Sequence, residues 1–156
     1  AARLKLRIVG DGPQKAELEA LALRLAINDV TCFVGRVAHT EVANELAKLD
    51  IYVALSRLDS ESFGVAIIEA CAAGRPLVLS YAGGLPEVVV NGSTGLVVKR
   101  EAPEQAAEAI LSLVTDRQRR LALAEAGYQH VRQRYDWQDS VKIMTNLYAE
   151  LLNGLR

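Results

Sequence analysis

The stretch DIYVALSRLDSESFGVAIIEACAAGRPLVLS, Asp50 to Ser80, decides the fold. It opens on a short apolar run, Asp50–Leu55, rich in the β-branched and aromatic residues that suit a pleated strand. A polar loop follows, and the apolar spacing then changes to a helical one over Gly64–Ala73. Gly74 and Arg75 read as a turn, and Pro76–Ser80 as a second strand. Strand, helix and strand in this order make one parallel crossover unit.

The same alternation recurs on both sides. Leu4–Val9 reads as a strand, Gly10–Pro13 as a turn, and the following residues as a helix with Leu18, Leu21 and Leu25 on one stripe. A strand near Val30–Val34 and a helix near Thr40–Lys48 come next, and Gly95–Val98 is the last strand. From Pro103 onward the pattern is helical in three pieces, broken near Thr115 and near Tyr135, with Asp136 placed to cap the last. The expected architecture is α/β: a parallel sheet flanked by helices, in a single domain over residues 1–156.

Bulk properties narrow the function classes. Lys and Arg number 18 against 19 Asp and Glu, for a net charge of -1, so no basic field is available to gather a nucleic acid. No apolar run reaches membrane-spanning length, and AARLKLRIVGDG lacks the features of a signal peptide, so a cytoplasmic protein is expected. Cys32 and Cys71 lie in apolar strings and read as free core thiols, without metal-ligand spacing to other Cys or His.

In open parallel sheets ligands bind beyond the carboxyl ends of the strands, which singles out Gly10–Pro13, Gly35–His39, Ser56–Gly64 and Tyr81–Glu87. The third loop is the richest. It leads into a helix whose first free amides come from Phe63, Gly64, Val65 and Ala66, a place where a phosphate or a sugar hydroxyl is held well. Glu61 stands just outside that helix and Glu69 eight positions further on, inside it. Two acceptors thus flank a row of donors, as a nucleotide sugar would require. Spacing alone also allows Glu61 to be a cap and Glu69 a solvated polar position.

The longer segment ESFGVAIIEACAAGRPLVLSYAGGLPEVVVNGSTGLVV resembles the signature of the family 4 retaining glycosyltransferases, the glycosyl transferases group 1, with its E-x7-E pair at Glu61 and Glu69. LRIVGDGP, VTCFVGRV, LDIYVALS and the YDW before the last helix extend the resemblance over essentially the whole chain. It implies a Rossmann-like sheet forming the C-terminal half of a GT-B fold, lacking its first strand and helix. Residues 136–152 would be a C-terminal helix crossing to a first, acceptor-binding domain.

The resemblance further implies a nucleoside diphosphate sugar as donor substrate and retaining transfer. Glu61 becomes the catalytic residue, bonding hydroxyls of the donor sugar, and Glu69 the holder of the ribose. The amides of Phe63 and Gly64 would meet the sugar, those of Val65 and Ala66 the diphosphate, and the backbone of Arg36 and Val37 the nucleobase. Gly83 and Gly84 offer loop contacts on the same edge. No Asp-x-Asp occurs, so neither a metal nor another cofactor is expected.

The chain departs from the family pattern in having Leu55 where Pro is frequent, and in lacking the GR…K segment that grips the diphosphate. The expected partners are a nucleotide sugar and the missing acceptor-binding domain, with peripheral membrane contact through the full-length protein and no nucleic acid. The chain by itself is expected to be inactive. A non-catalytic nucleotide-sugar-binding module, a split subunit and a nucleotide-sugar epimerase domain are the alternatives.

The remaining motifs read as structure. Gly10-Asp11-Gly12 is a tight turn and Asn91-Gly92-Ser93 another. His39 and His130 read as surface residues, and Arg117, Arg119, Arg120, Arg132 and Arg134 as a solvated basic face.

Overall fold

The computed structural model of the chain describes residues 4–58 and 63–154. It divides into two compact units, Ala1–Leu49 and Asp50–Arg156.

In the first unit, β1 (Leu6–Val9) and β2 (Thr31–Gly35) pair in parallel, with Leu6 opposite Thr31 and a register shift between Ile8 and Val9. Between them run α1 (Lys15–Arg24) and a 3-10 turn at Asn28–Val30. A second 3-10 turn, His39–Glu41, leads into α2 (Val42–Ala47). The Leu stripe of α1 does not form a core: Leu18, Leu21 and Leu25 are all exposed, and Ala22 is the residue of that helix that is buried. Cys32 is exposed as well, against the core position expected for it. Arg7, on β1, and Lys48, one helical turn on, both close on Glu45, at 2.6 Å each. Their charges and hydrogen bonds hold the Glu45 carboxyl below its ordinary value, Lys48 contributing most.

The second unit carries the Asp50–Ser80 crossover. β3 (Tyr52–Ala54), α3 (Val65–Ala72) and β4 (Leu77–Ser80) follow one another, and β5 (Leu96–Val98) pairs on the far side of β4. The order β3-β4-β5 is parallel throughout, with Tyr52 opposite Leu77 and Val78 opposite Leu96. β4 is central, and all four of its residues are buried, which is why its sequence lacks polar alternation. Val78 and Leu96 pack with Leu113 and Leu123 from the late helices to form the core of this unit.

β5 is the edge strand, and two side chains blunt it. Asn91 Oδ1 accepts from the Val97 amide at 2.9 Å, and Gln105 Oε1 from the Lys99 amide at 3.3 Å. Outward amides that could template another strand are thereby satisfied within the chain. This gives the Asn91-Gly92-Ser93 turn a structural purpose.

Three long helices close the unit: α5 (Pro103–Thr115), α6 (Arg117–Arg134) and α7 (Trp137–Gly154). Pro103 begins α5 at the position where its missing N–H costs nothing. Asp116 caps α6, its side chain accepting from the Arg119 amide, and Asp136 caps α7 by accepting from Gln138 at 2.8 Å. Arg120 is not part of a solvated face: it donates to the Leu113 and Val114 carbonyls and so satisfies the end of α5. α6 meets α3 at Gly127, where an added Cβ would sit 3.1 Å from the Thr94 carbonyl and 3.3 Å from Cys71 Sγ. No described helix is long and apolar enough to cross a membrane.

Candidate functional site

The candidate site is the entry to α3. Gly64 sits at its N-cap with φ 76 and ψ 49, a left-handed conformation that side-chain-bearing residues rarely adopt. Space forbids a side chain there too, since a Cβ would lie 2.8 Å from Leu85 Cδ2 and 3.1 Å from Ile67 Cδ1. The turn aims its carbonyl into the helix, where Gly64 O accepts from Ile67 N at 2.9 Å.

The amides of Phe63, Gly64, Val65 and Ala66 are left at the helix entry. None of them donates in a backbone bond between described residues, and no side chain caps the helix there. Val65 and Ala66 are exposed, so a ligand can reach them. A row of helix-entry amides, at the positive end of the helix dipole, attracts phosphate oxygens. Glu69 lies in the second turn of the same helix and is half-buried, between fully buried Ala70 and the entry. Glu61 lies outside the described residues.

Neighbouring loops support this entry. Ser80, 2% exposed at the end of β4, donates through Oγ to the Ser56 carbonyl at 2.6 Å, tying β4 to the loop that follows β3. After β4 the chain turns through Gly83 and Gly84 into α4 (Leu85–Val88), a short helix where the sequence pattern suggests a loop. Leu85 is buried against Gly64, so Gly83 and Gly84 are joined to the site through the residue that follows them. A cavity of about 390 Å³ beside β5, lined by Tyr81, Pro86 and Lys99 among others, includes none of the expected site residues.

Arg36 and Val37 belong to the other unit. They follow β2, Arg36 exposed and Val37 half-buried, next to Gly35, whose φ of 81 turns the chain. The Gly10 amide donates to Gly35 O at 2.8 Å, which joins the Gly10–Pro13 and Gly35–His39 loops at one edge.

His130 departs from the expectation of a surface residue. It is half-buried on α6, its Nε2 is enclosed without a hydrogen-bond partner, and its ring meets Tyr135. Tyr135 in turn meets Phe63 edge-on, with centroids 5.8 Å apart and an interplanar angle of 73°. The sequence offered only the YDW motif as a sign of this residue, and nothing that paired it with Phe63.

With the geometry in place, comparison with known proteins is informative. Residues 1–130 match the family described as glycosyl transferases group 1. The chain is 35% identical over 137 residues to a GDP-mannose-dependent alpha-(1-6)-phosphatidylinositol monomannoside mannosyltransferase of Mycobacterium tuberculosis, covering 85% of this chain and 36% of that protein. It is 34% identical over 151 residues to a glycogen synthase of the same species, covering 97% of this chain and again 36% of the relative. Among solved structures, Anabaena Alr3699/HepE in complex with UDP-glucose superposes with a TM-score of 0.82 at 27% identity, over 99% of this chain and 42% of that one. The C-terminal domain of a group 1 glycosyl transferase from Francisella tularensis, LpcC, superposes with a TM-score of 0.70 at 25% identity, over 81% of this chain and 66% of that one. The chain therefore spans little more than a third of the length of the curated relatives it matches. With the signature segment at the α3 entry and this extent of match, the chain belongs to the glycosyl transferases group 1 family.

Proposed function

We propose that the chain is the donor-binding part of a retaining glycosyltransferase that takes a nucleoside diphosphate sugar and works without a metal ion. One observation carries this reading: the left-handed Gly64 presents four amides at the α3 entry with Glu69 on the same helix. Amides suit a diphosphate and a carboxylate suits ribose hydroxyls. The relatives agree in kind, one being a GDP-mannose-dependent mannosyltransferase and one structure holding UDP-glucose.

On this reading Glu61 bonds the donor sugar, the amides of Phe63 and Gly64 meet that sugar, and those of Val65 and Ala66 meet the diphosphate. Glu69 takes the ribose, Arg36 and Val37 the base, and Gly83 and Gly84 supply loop contacts. In transfer, the bond from the anomeric carbon to the diphosphate oxygen breaks and that oxygen leaves with the electron pair. The acceptor oxygen forms the new bond, and its proton goes to the departing diphosphate. The helix amides stabilise the departing charge, the role that preorganised donors play in such steps. The acceptor would be supplied by a separate N-terminal domain, and α7, eighteen residues with no buried side chain, is the element that would cross to it. Peripheral membrane contact and a cytoplasmic site of action belong to that longer protein.

The test is a thermal-shift screen of the 156-residue chain against UDP-glucose, GDP-mannose and other nucleoside diphosphate sugars. A ligand that binds the native state raises the melting temperature, by an amount set by its concentration over Kd. A concentration-dependent rise with at least one donor is expected. No rise with any of them at millimolar concentration contradicts the proposal.

A further inference from the structure

The Phe63–Tyr135–His130 ring series is not accounted for by donor recognition itself. Phe63 supplies the first of the four entry amides, and its ring is nearly half exposed, so its own burial does not fix it. Two contacts do. On one side the Gly64 backbone abuts Leu85 too closely for any side chain. On the other, the Phe63 ring stands edge-on to Tyr135. Tyr135 is itself held from behind by His130, 6.4 Å away at 61°. His130 accepts an enclosed, unpartnered Nε2 at this place, which is costly for a polar atom.

Tyr135 is also the joint between two helices. Its amide donates to Val131 O at 2.9 Å at the end of α6, and the next residue, Asp136, caps α7. The ring thus links the α6–α7 joint to the start of α3.

We propose that Tyr135 is a positioning residue for the donor sugar, fixing through its edge-to-face contact with Phe63 the direction of the Phe63 and Gly64 amides. The inference rests on the donor-site reading above and adds a residue that touches no ligand. It predicts a split. Losing the ring disturbs the sugar end of the site and spares the diphosphate end, which Val65 and Ala66 serve from inside the helix.

The experiment is calorimetric titration of the 156-residue chain with UDP-glucose and GDP-mannose, and with UDP and GDP. Tyr135→Ala and Tyr135→Leu are expected to raise Kd for the sugar nucleotide roughly three- to tenfold, the scale of one aromatic pair, and for the bare nucleotide by less than about twofold. Tyr135→Phe, which keeps the ring, is expected to bind as the unaltered chain does. Tyr135→Leu fills similar space without a ring and separates loss of the pair from loss of the fold. Unchanged affinity in Tyr135→Leu, or an equal loss for both ligands, overturns the positioning role and leaves the donor reading intact. An unaltered chain that binds none of the four ligands overturns the donor reading, and this inference with it.

Discussion

Glu69 is half-buried in a helix whose neighbours at Ile67, Ala70 and Cys71 are almost fully buried, and the donor reading assigns its carboxylate to the ribose hydroxyls. Glu69→Ala is expected to weaken nucleoside diphosphate binding by about 1.5–3 kcal/mol, the scale of a hydrogen bond to a charged group. Calorimetry checks this, and unchanged affinity in a folded variant removes the ribose role. Two positions further on, Cys71 is a structural thiol, as its apolar string indicates, and burial pushes it from an ordinary 9.0 up to about 11. Because the folded thiol holds its proton more tightly than the unfolded one, its contribution is fully present below pH 9.0 and is lost as pH rises towards about 11. Urea midpoints measured across that window should fall more steeply for the unaltered chain than for Cys71→Ala. Parallel slopes in the two proteins would count against it.

At the scale of elements, α3 is gripped between β4, α4 and α6, and Gly127 sets the α6 distance. Gly127→Val inserts atoms where the Thr94 carbonyl and Cys71 Sγ already stand at 3.1 and 3.3 Å, so it should cost about 1–3 kcal/mol, the range for overpacking. A denaturant midpoint equal to that of the unaltered chain would show that α6 can retreat freely. The crossover itself was legible in the sequence because its two strands and helix each keep their own apolar pattern, whereas the central place of β4 is seen only in the order β3-β4-β5. The helix boundary at Tyr135 was legible because Asp136 caps the helix after it, while the Asp116 cap after Thr115 is seen in the structure. What was not legible depends on tertiary placement. Leu85–Val88 carries four residues of helix between glycines and β-branched residues, too short to show a period. The Leu18, Leu21 and Leu25 stripe has helical spacing yet lies exposed, because periodicity fixes a face and not what covers it. The packing of Leu85 on Gly64 and of Tyr135 on Phe63 joins residues far apart in sequence, which no local pattern encodes.

For the molecule as a whole, the donor reading makes the 156-residue chain a binder and not a catalyst. Transfer needs an acceptor hydroxyl held against the anomeric carbon, and positioning of that kind supplies several kcal/mol of barrier reduction. Relatives are more than twice as long as the matched region. Mixed with a donor and a range of acceptors, the isolated chain should release nucleoside diphosphate no faster than buffer. Turnover of about 10 per second, the median for enzymes, would place acceptor binding within these residues. The central claim is that the α3 entry holds a nucleotide sugar, and amide NMR of the labelled chain during titration with UDP-glucose and GDP-mannose tests it most directly. The account predicts saturable shifts concentrated at Phe63, Gly64, Val65, Ala66 and Glu69, with the Leu113–Leu123 core unmoved. Shifts confined to other surfaces, or none at saturating donor, would contradict it.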